Sequence, residues 1–243
     1  MERRVYYMKV LAIDSSGLVA SVALVTEDEL IAEHTINYRK THSQTLLPML
    51  DEIVKMTNID LTELDAIAIS KGPGSFTGLR IGAATVKGLA MVLDIPVIPV
   101  ATVDGLAYNL YQTNSIICPL MDARKNQVYT GLYKWVDNEF KVLLEQKALD
   151  IEEISKEINK TEEEVTFLGD GVKVFEDQIK EMVEVNYNFV PAHLSRQRAG
   201  AIGALGIEYY KKGILMDADE FVPTYLRMSQ AERELARKNK KQS

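Results

Sequence analysis

The sequence contains few of the residues from which metal sites and nucleophilic active sites are built. Its 243 residues include one cysteine, Cys118, and three histidines, His34, His42 and His193. A single cysteine excludes an internal disulfide and suits a reducing cytoplasm, which is where we expect this chain. No two histidines have metal-ligand spacing, and neither a CxxC pair nor a Gly-x-Ser-x-Gly elbow occurs. A Ser-His-Asp site assembled from distant residues stays open, because serines and aspartates are common.

The sequence also lacks the marks of export and of membrane insertion. Its first seven residues, MERRVYY, do not form the long apolar region of a signal peptide. No apolar run approaches the length that a membrane span requires. We therefore expect no membrane partner, and we treat residues 1–7 as peripheral.

Positive charge is scarce in most of the chain, whose formal net charge is −7. Acidic side chains outnumber basic ones up to residue 226, and the segment 227–243, with six basic and two acidic side chains, reverses the sign. Broad nucleic-acid binding depends on neutralising phosphates, so the acidic body argues against it. The basic tail is either a solvated helix end or a contact for RNA or for an acidic partner.

What the sequence does contain is a strand, a turn and a helix between Asp65 and Leu93, around which the chain is organised. Ala66–Ser70 has the pattern of a short buried strand, Gly72 and Gly74 form a turn, and a helix is predicted from Thr77. Backbone N–H groups at a helix start attract anions, which favours a phosphate-binding loop. The glycine spacing matches neither the dinucleotide fingerprint nor the P-loop, so a tight connection between strand and helix is the alternative.

Two helices of the first half are expected to be covered on two sides. The helix that ends at Leu93 carries small residues, Gly78, Gly82 and Thr85 among them, which would let another backbone approach closely. The helix predicted to start with a capping box at Thr41 is apolar around most of its circumference. Its second cover is either a partner protein, which would leave an exposed patch on the free chain, or the second half of this chain.

The order of predicted elements resembles that of the actin-like ATPase superfamily. Three strands between Lys9 and Asn37 are followed by helix, strand, helix, strand and helix, and a shorter version of this order follows residue 107. We predict an α/β protein of the actin-like ATPase (ASKHA) fold, with two tandem βββαβαβα lobes of which the second is degenerate. The first lobe spans residues 8–107 and the second spans residues 108–228. A basic helix over residues 229–243 would pack back on the first lobe or fray into solvent.

Two polar turns at strand ends are further candidates for a site. Asp122, Ala123 and Arg124 directly follow a strand, where binding sites are common, although an ordinary turn explains them equally well. Asp170 lies between two glycines, and we predict that it caps the following helix rather than contacting a nucleotide.

Six segments together resemble the TsaB family, formerly called YeaZ. They are LAIDSS (Leu11–Ser16), HSQTLLPMLDEIV (His42–Val54), GPGSFTGLRIG (Gly72–Gly82), KGLAMVLDIPVIPVATVDGLA (Lys87–Ala107), MDARKNQVYTGLY (Met121–Tyr133) and PTYLR (Pro223–Arg227). The resemblance covers nearly the whole chain from Met8, and the glycine-rich segment in this order with the others is highly specific.

The resemblance implies a role in making N6-threonylcarbamoyladenosine beside the anticodon of tRNAs that read codons beginning with adenine. It implies a scaffold and activator without catalytic activity of its own, which pairs with its relative TsaD, acts with the ATPase TsaE and meets tRNA through the complex. A homodimer is implied for the chain alone. No cofactor of its own is implied, and ATP or ADP within the complex is left open.

The resemblance also implies two sets of site residues. The partner interface is expected on the two first-lobe helices, at His42, Leu46, Leu47, Met49, Leu50, Ile53, Gly78, Gly82 and Thr85. A nucleotide site, where the ancestral one persists, falls at Asp14, Ser15, Ser16, Gly72 and Gly74. We therefore expect charged substitutions at Leu46 or Leu50 to abolish association with TsaD while the chain stays folded.

One departure from TsaD weighs against an active site of its kind. The two histidines of the TsaD metal motif fall at Thr102 and Leu106 in this chain, and a leucine cannot bind a metal. Gln127 stands where many relatives have Glu, so no charge-dependent role is expected there. The alternative function is that of an enzyme, either a peptidase or a weak ATPase of the actin-like superfamily, that uses the Asp14 loop and the Gly72 turn.

Overall fold

The structure is a computed structural model that describes residues 7–38 and 41–227. Its strands are β1 Val10–Asp14, β2 Ala20–Val25, β3 Leu30–Ile36, β4 Ala66–Ser70, β5 Val97–Val100, β6 Ile116–Asp122, β7 Gln127–Val136, β8 Glu139–Asp150, β9 Val165–Leu168 and β10 Tyr187–Phe189. Its helices are α1 His42–Thr57, α2 Phe76–Leu93, α3 Thr102–Ala107, α4 Ile151–Asn159, α5 Val172–Met182 and α6 Ala199–Lys211. Most of these bounds lie close to the predicted ones. The predicted helix over residues 229–243 lies outside the described residues.

The first sheet brings the two predicted loops together. Its strand order is β3-β2-β1-β4-β5, in which β1 to β3 form an antiparallel meander and β4 and β5 run parallel to β1. The carboxyl ends of β1, β4 and β5 therefore share one edge of the sheet. The loop after β1 and the glycine turn after β4 meet at that edge, where Ser75 N donates to Ser16 O at 2.6 Å.

Helices α1 and α2 cover one face of this sheet. Alternate residues of β1 and β4, such as Ile13 and Ile69, pack against Leu46 and Val86 of these helices. The capping box predicted at the start of α1 does not form, because the Thr41 side chain makes no cap hydrogen bond to the helix backbone.

Helix α6 covers the opposite face of the first sheet, which corrects the predicted lobe boundary. Ile202 and Leu205 of α6 share one hydrophobic cluster with Ala12 and Ala68, although α6 was predicted within the second lobe, residues 108–228. The physical reason is that the first sheet is apolar on both faces, and α1 and α2 cover one of them. Glu33 on β3 holds the start of α6, since it accepts hydrogen bonds from the guanidinium of Arg198 and from the Gly200 N–H.

The second sheet repeats the plan of the first, with strand order β10-β9-β6-β7-β8. Helices α4 and α5 contribute Ile154 and Phe175 to the cluster on one of its faces. On the other face lies α3, which follows β5 of the first sheet but packs through Val103 and Leu106 against Ile117 of the second. The two lobes therefore exchange their last helices, α3 for α6.

The exchanged helices cross at a hydrogen-bonded carboxylate. Asp104 of α3 accepts a hydrogen bond from the Tyr133 hydroxyl at 2.7 Å and another from the Tyr209 hydroxyl at 3.1 Å. Tyr133 belongs to the second sheet and Tyr209 belongs to α6, so this one side chain connects both lobes. Burial raises the pKa of Asp104, and the hydrogen bonds from the two tyrosines oppose that rise.

After α6 the chain returns along the first lobe as a strap, residues 214–227. Met216 pairs with Val97 at the edge of β5, and Phe221 is buried among the residues that α1 and α2 cover. Lys87 of α2 donates hydrogen bonds to the backbone carbonyls of Asp219 and Phe221, at 2.8 and 3.2 Å. These bonds hold the strap against the end of α2.

Helix α2 also corrects the expectation that no run approaches the length of a membrane span. By length and composition alone, this 18-residue helix is long and apolar enough to cross a membrane. Leu79, Val86 and Ala90 are buried against the first sheet, as in a core helix of a globular α/β protein. A core helix can be as long and as apolar as a membrane-spanning helix. The length and composition of α2 are therefore weak evidence that it spans a membrane.

Candidate functional site

The hydroxyl groups of the loop after β1 are hydrogen-bonded within the chain, whereas Asp14 Oδ2 is buried without a hydrogen-bond partner among the described residues. Asp14 Oδ1 accepts hydrogen bonds from the Ser16 N–H at 2.9 Å and from the Ser16 hydroxyl at 2.6 Å. The Ser15 hydroxyl donates to Gly78 O at 2.9 Å. All three side chains are buried, and both hydroxyl protons are engaged within the chain. The loop predicted to cradle phosphate therefore presents no free hydroxyl donor to a ligand.

Three glycines before and within α2 allow that loop to approach closely. A Cβ added to Gly74 would lie under 3.0 Å from Ser16 O, and one added to Gly78 or Gly82 would collide in the same way with Ser15. A Cβ does not come this close to another nonbonded heavy atom, so the close approach of the loop requires glycine at these three positions. The prediction that Gly78 and Gly82 face a partner protein is wrong, because their close neighbour is the chain's own β1–β2 loop.

The strap closes over the glycine turn. Thr224 N donates to Lys71 O at 2.7 Å, and a Cβ at Gly72 would collide with Thr224 O. Gly72 also has a φ of +113°, a conformation that glycine adopts without strain. Its N–H donates to the Thr102 hydroxyl at 3.2 Å, so Gly72, predicted as a nucleotide contact, is buried and engaged, whereas the predicted contacts Gly74 and Ser16 line the cleft between the lobes. Thr102, one of the two positions that the resemblance matched to TsaD histidines, holds this turn.

A cleft of about 550 Å³ separates the two lobes in front of this edge. Its walls include Phe76 from the first lobe and Met121, Asp122, Tyr129 and Asp170 from the second. The polar turn after β6 and the Gly-Asp-Gly turn, recognised separately in the sequence, thus face the same space. Asp170 Oδ1 accepts from Asp122 N at 3.1 Å, so the predicted capping of α5 is wrong. Burial raises the pKa of Asp170.

The PTYLR segment joins the lobes across this cleft. Tyr225 stacks on Phe76 with ring centroids 4.1 Å apart, and the Arg80 guanidinium lies over both rings. Arg227 donates hydrogen bonds to the carbonyls of Ala123 and Arg124 in the second lobe. The family resemblance includes this segment, for which no role was predicted. The five-residue motif by itself does not indicate which carbonyl groups Arg227 contacts.

The Asp14→Asn variant is expected to become more stable than the natural chain, by its free energy of unfolding, as the pH rises. Burial raises the pKa of Asp14 above 3.8, although the hydrogen bonds from Ser16 oppose the rise. The folded chain then holds a proton that the unfolded chain releases, so the free energy of unfolding falls as pH rises above about 3.8 toward the folded pKa. Asparagine keeps an acceptor for Ser16 and carries no charge, so the variant avoids this loss.

Urea unfolding at about pH 4, near the unfolded pKa, and at about pH 8 measures this effect, which approaches about 1.4 kcal/mol per unit by which the pKa is raised. Asp28→Asn, at an exposed position of the β2–β3 turn, is the matched control and should follow the natural chain at both pH values. A difference between Asp14→Asn and the natural chain that does not change with pH would contradict the prediction.

The predicted interface on α1 is largely a core surface. The buried side chains are His42, Leu46, Met49, Leu50 and Ile53. The four apolar ones pack in the cluster under α1 and α2, while His42 Nε2 donates to Gly17 O at 2.9 Å. The prediction that these five residues form an exposed patch is wrong, because the first sheet covers them. Thr85 is half-buried, and its hydroxyl donates to Ile81 O within α2.

A different set of residues on the same two helices is exposed. We call it the α1–α2 strip, and it comprises Leu47, Ala84, Gly88, Met91 and Val92. The side chains of Leu47, Met91 and Val92 are 55%, 64% and 85% exposed. A Cβ at Gly88 would meet nothing within 4 Å, so a partner backbone has room to approach there. Of these residues, Leu47 was in the predicted interface, and Ala84 belongs to the stripe of small residues expected to be covered. Small residues at positions 84 and 88, four apart as on one helix face, were the available signal for the rest.

Two sequence comparisons find proteins that are named for the same tRNA modification. A family model described as "TsaD: tRNA N6-adenosine threonylcarbamoyltransferase" matches residues 29–235. The chain is 31% identical over 225 residues to "tRNA threonylcarbamoyladenosine biosynthesis protein TsaB" of Bacillus subtilis (strain 168), covering 93% of this chain and 96% of that protein. It is 35% identical over 133 residues to the protein of the same name in Escherichia coli (strain K12), covering 54% and 57%.

A solved structure supports the same grouping. "YeaZ from Pseudomonas aeruginosa" superposes with a TM-score of 0.77 at 28% identity, covering 90% of this chain and all of that one. The structure has two tandem lobes whose strands and helices follow the predicted order. The prediction of an actin-like fold is therefore confirmed.

Proposed function

Since this chain belongs to the TsaB (YeaZ) family of tRNA threonylcarbamoyladenosine biosynthesis proteins, we propose that it is the non-catalytic scaffold and activator subunit of a cytoplasmic tRNA-modifying complex. Its partner is the transferase TsaD, with which it forms a heterodimer. TsaE completes the complex, and tRNA is met through it. When the chain is alone, the same surface pairs two copies.

The observation that carries this proposal is the exposure of the α1–α2 strip. Scattered exposed apolar side chains are normal on a protein surface, but this strip places them on two adjacent helices around an exposed glycine. Helices α1 and α2 begin side by side, where His42 touches Gly78. A partner that lays its own apolar helix on the strip would remove Leu47, Met91 and Val92 from water together.

Leu47→Asp is expected to weaken association with TsaD by about 100-fold or more, because a carboxylate at a desolvated contact costs several kcal/mol unless it is paired. Mass measurement of the mixed proteins by light scattering, followed by a titration for Kd, tests it. Val174→Asp on α5 is the matched control, because Val174 is 58% exposed and lies on the second lobe. It should change Kd by no more than about twofold. Equal binding by Leu47→Asp and the natural chain would refute the interface.

The enzymatic alternative places its chemistry in the interlobe cleft. Against it stands the internal bonding of Ser15 and Ser16, whose hydroxyls donate to Gly78 O and to Asp14. Incubation of the purified chain with ATP and magnesium, or with test proteins, separates the two readings. Phosphate release or peptide cleavage that is lost on a cleft substitution such as Asp170→Asn, and kept in Leu47→Asp, would favour the enzyme.

A further inference from the structure

The last part of the strap is fixed to the first lobe before it reaches the cleft. Thr224 N donates to Lys71 O at 2.7 Å, directly before the glycine turn. The ring of Tyr225 is nearly parallel to that of Phe76 at the start of α2, with an interplanar angle of 7°. The Arg80 guanidinium lies 5.6 and 6.0 Å from the centroids of these two rings. The strap therefore extends toward the second lobe from a firm attachment on α2.

Two residues after Tyr225, the strap binds the turn between β6 and β7 of the second lobe. The half-buried Arg227 donates hydrogen bonds to Ala123 O and to Arg124 O, the latter at 3.2 Å. Hydrogen bonds with a charged donor are stronger than those between neutral groups. Arg227 also lines the cleft together with Phe76, so these bonds lie across the space between the lobes.

The turn that Arg227 binds has a strained backbone. Arg124, Lys125 and Asn126 have φ values of 65°, 57° and 62°, so three consecutive residues other than glycine adopt the left-handed conformation. L-amino acids adopt this conformation at a cost, and such strain persists where surrounding contacts hold it. The carbonyls of Ala123 and Arg124, which accept the bonds from Arg227, lie at the start of this left-handed run. The shape of the turn is thus coupled to those bonds.

Apart from the strap, the lobes are joined where α3 crosses α6. The two helices are in close contact there, since a Cβ at Gly105 of α3 would lie 2.2 Å from Ile202 Cδ1 of α6. The shared carboxylate of Asp104 lies at the same crossing. Domain closure commonly turns on a few residues at such a junction, which stays packed while the domains rotate. The width of the cleft then depends on the second connection, at Arg227.

We propose that Arg227 is a latch that holds the interlobe cleft closed in the free chain, by fastening α2 through the strap to the β6–β7 turn. Opening pivots about the α3–α6 crossing and breaks the hydrogen bonds of Arg227, and the turn then relaxes from its left-handed conformation. The same movement removes the Arg227 side chain from the cleft wall, which clears space for a ligand. The latch acts within a single chain, so it operates whether or not the chain binds TsaD.

The test measures the distance between the lobes by double electron–electron resonance in the full chain. Spin labels are attached to Gln44→Cys on α1 and Lys173→Cys on α5, both at exposed positions. Cys118 is buried, so the folded chain takes no label there. Arg227→Ala removes the latch. Lys125→Gly is the matched control, because it also removes one positive charge at the turn, while glycine adopts a left-handed φ without strain.

We expect Arg227→Ala to lengthen the mean distance by about 5 Å or more and to broaden its distribution, as in a hinge opening, while Lys125→Gly stays within about 2 Å of the natural chain. Tyr225→Ala is a second variant, which frees the same latch at its first-lobe end and should also open the cleft.

An unchanged distance in Arg227→Ala, with the far-UV circular dichroism of the natural chain, would overturn the inference. An equal lengthening in Lys125→Gly would overturn it as well, because lost charge rather than lost hydrogen bonds would then explain the opening. If Arg227→Ala does not fold, the distance in Tyr225→Ala decides in the same way.

Discussion

Leu46→Asp is expected to prevent the chain from folding, whereas Leu47→Asp, one position later, should leave the fold intact. The side chain of Leu46 is 1% exposed and lies in the cluster with Ile13 and Val22, while Leu47 is 55% exposed. Consecutive residues on a helix point about 100° apart, so neighbours can lie on opposite sides of a buried boundary. This prediction replaces the sequence-based one, in which a charge at Leu46 or Leu50 left the chain folded.

The expected magnitude follows from two costs that add at position 46. Truncating a buried leucine costs about 2–5 kcal/mol, and burying a carboxylate without a partner costs several more. Domains of this kind are stable by about 5–15 kcal/mol, so the sum reaches the whole stability. At position 47 the change should lie within about 0.5 kcal/mol, as for other surface substitutions.

Far-UV circular dichroism and urea unfolding of both variants check the prediction. We expect no cooperative transition for Leu46→Asp and a midpoint close to that of the natural chain for Leu47→Asp. A cooperative transition for Leu46→Asp within about 1 kcal/mol of the natural chain would mean that α1 does not bury this face.

Gly78→Ala and Gly88→Ala should change stability in opposite directions, although both lie within α2. A methyl group at Gly78 would collide with Ser15 O and press on the ring of His42. Relieving that overlap requires the β1–β2 loop to move and costs about 1–3 kcal/mol, which outweighs the gain in helix propensity. At Gly88 the methyl group meets nothing, so alanine should add about 1 kcal/mol to the free energy of unfolding.

Urea midpoints of the two variants measure the difference, which should be about 2 kcal/mol or more. Gly88→Ala serves as the control for helix propensity, because it carries the same change in the same helix. Equal shifts in the two midpoints would show that the β1–β2 loop does not depend on close contact with α2.

Local pattern was sufficient for most of the secondary structure. Strand β4 was predicted with its observed bounds, and α2 begins one residue before its predicted start at Thr77, because apolar patterns and turn residues are recognisable within a few positions. Which sheet a helix covers was less predictable. Helix α6 was predicted within the second lobe and packs on the first sheet, and no local pattern distinguishes the two sheets.

The candidate site was less predictable because its residues come from distant parts of the chain. Asp122 and Asp170 each looked like an ordinary turn residue, and only the fold places them on one cleft wall with Asp122 N bonded to Asp170. Arg227 reaches Ala123 across 104 positions. No periodicity or spacing relates such pairs, since tertiary packing brings them together.

The sequence by itself determined the two-lobed α/β plan, because each strand and helix carries its own apolar period. It also determined the family, through the glycine-rich turn and its flanking segments. Only the tertiary structure decided which side of α1 and α2 is surface. Both helices are apolar around more than one face, and a one-dimensional pattern does not say which face a sheet will cover. Leu46 and Leu50 are buried against the first sheet, and Gly78 and Gly82 contact the β1–β2 loop. Leu47, Gly88 and Met91 are exposed to solvent.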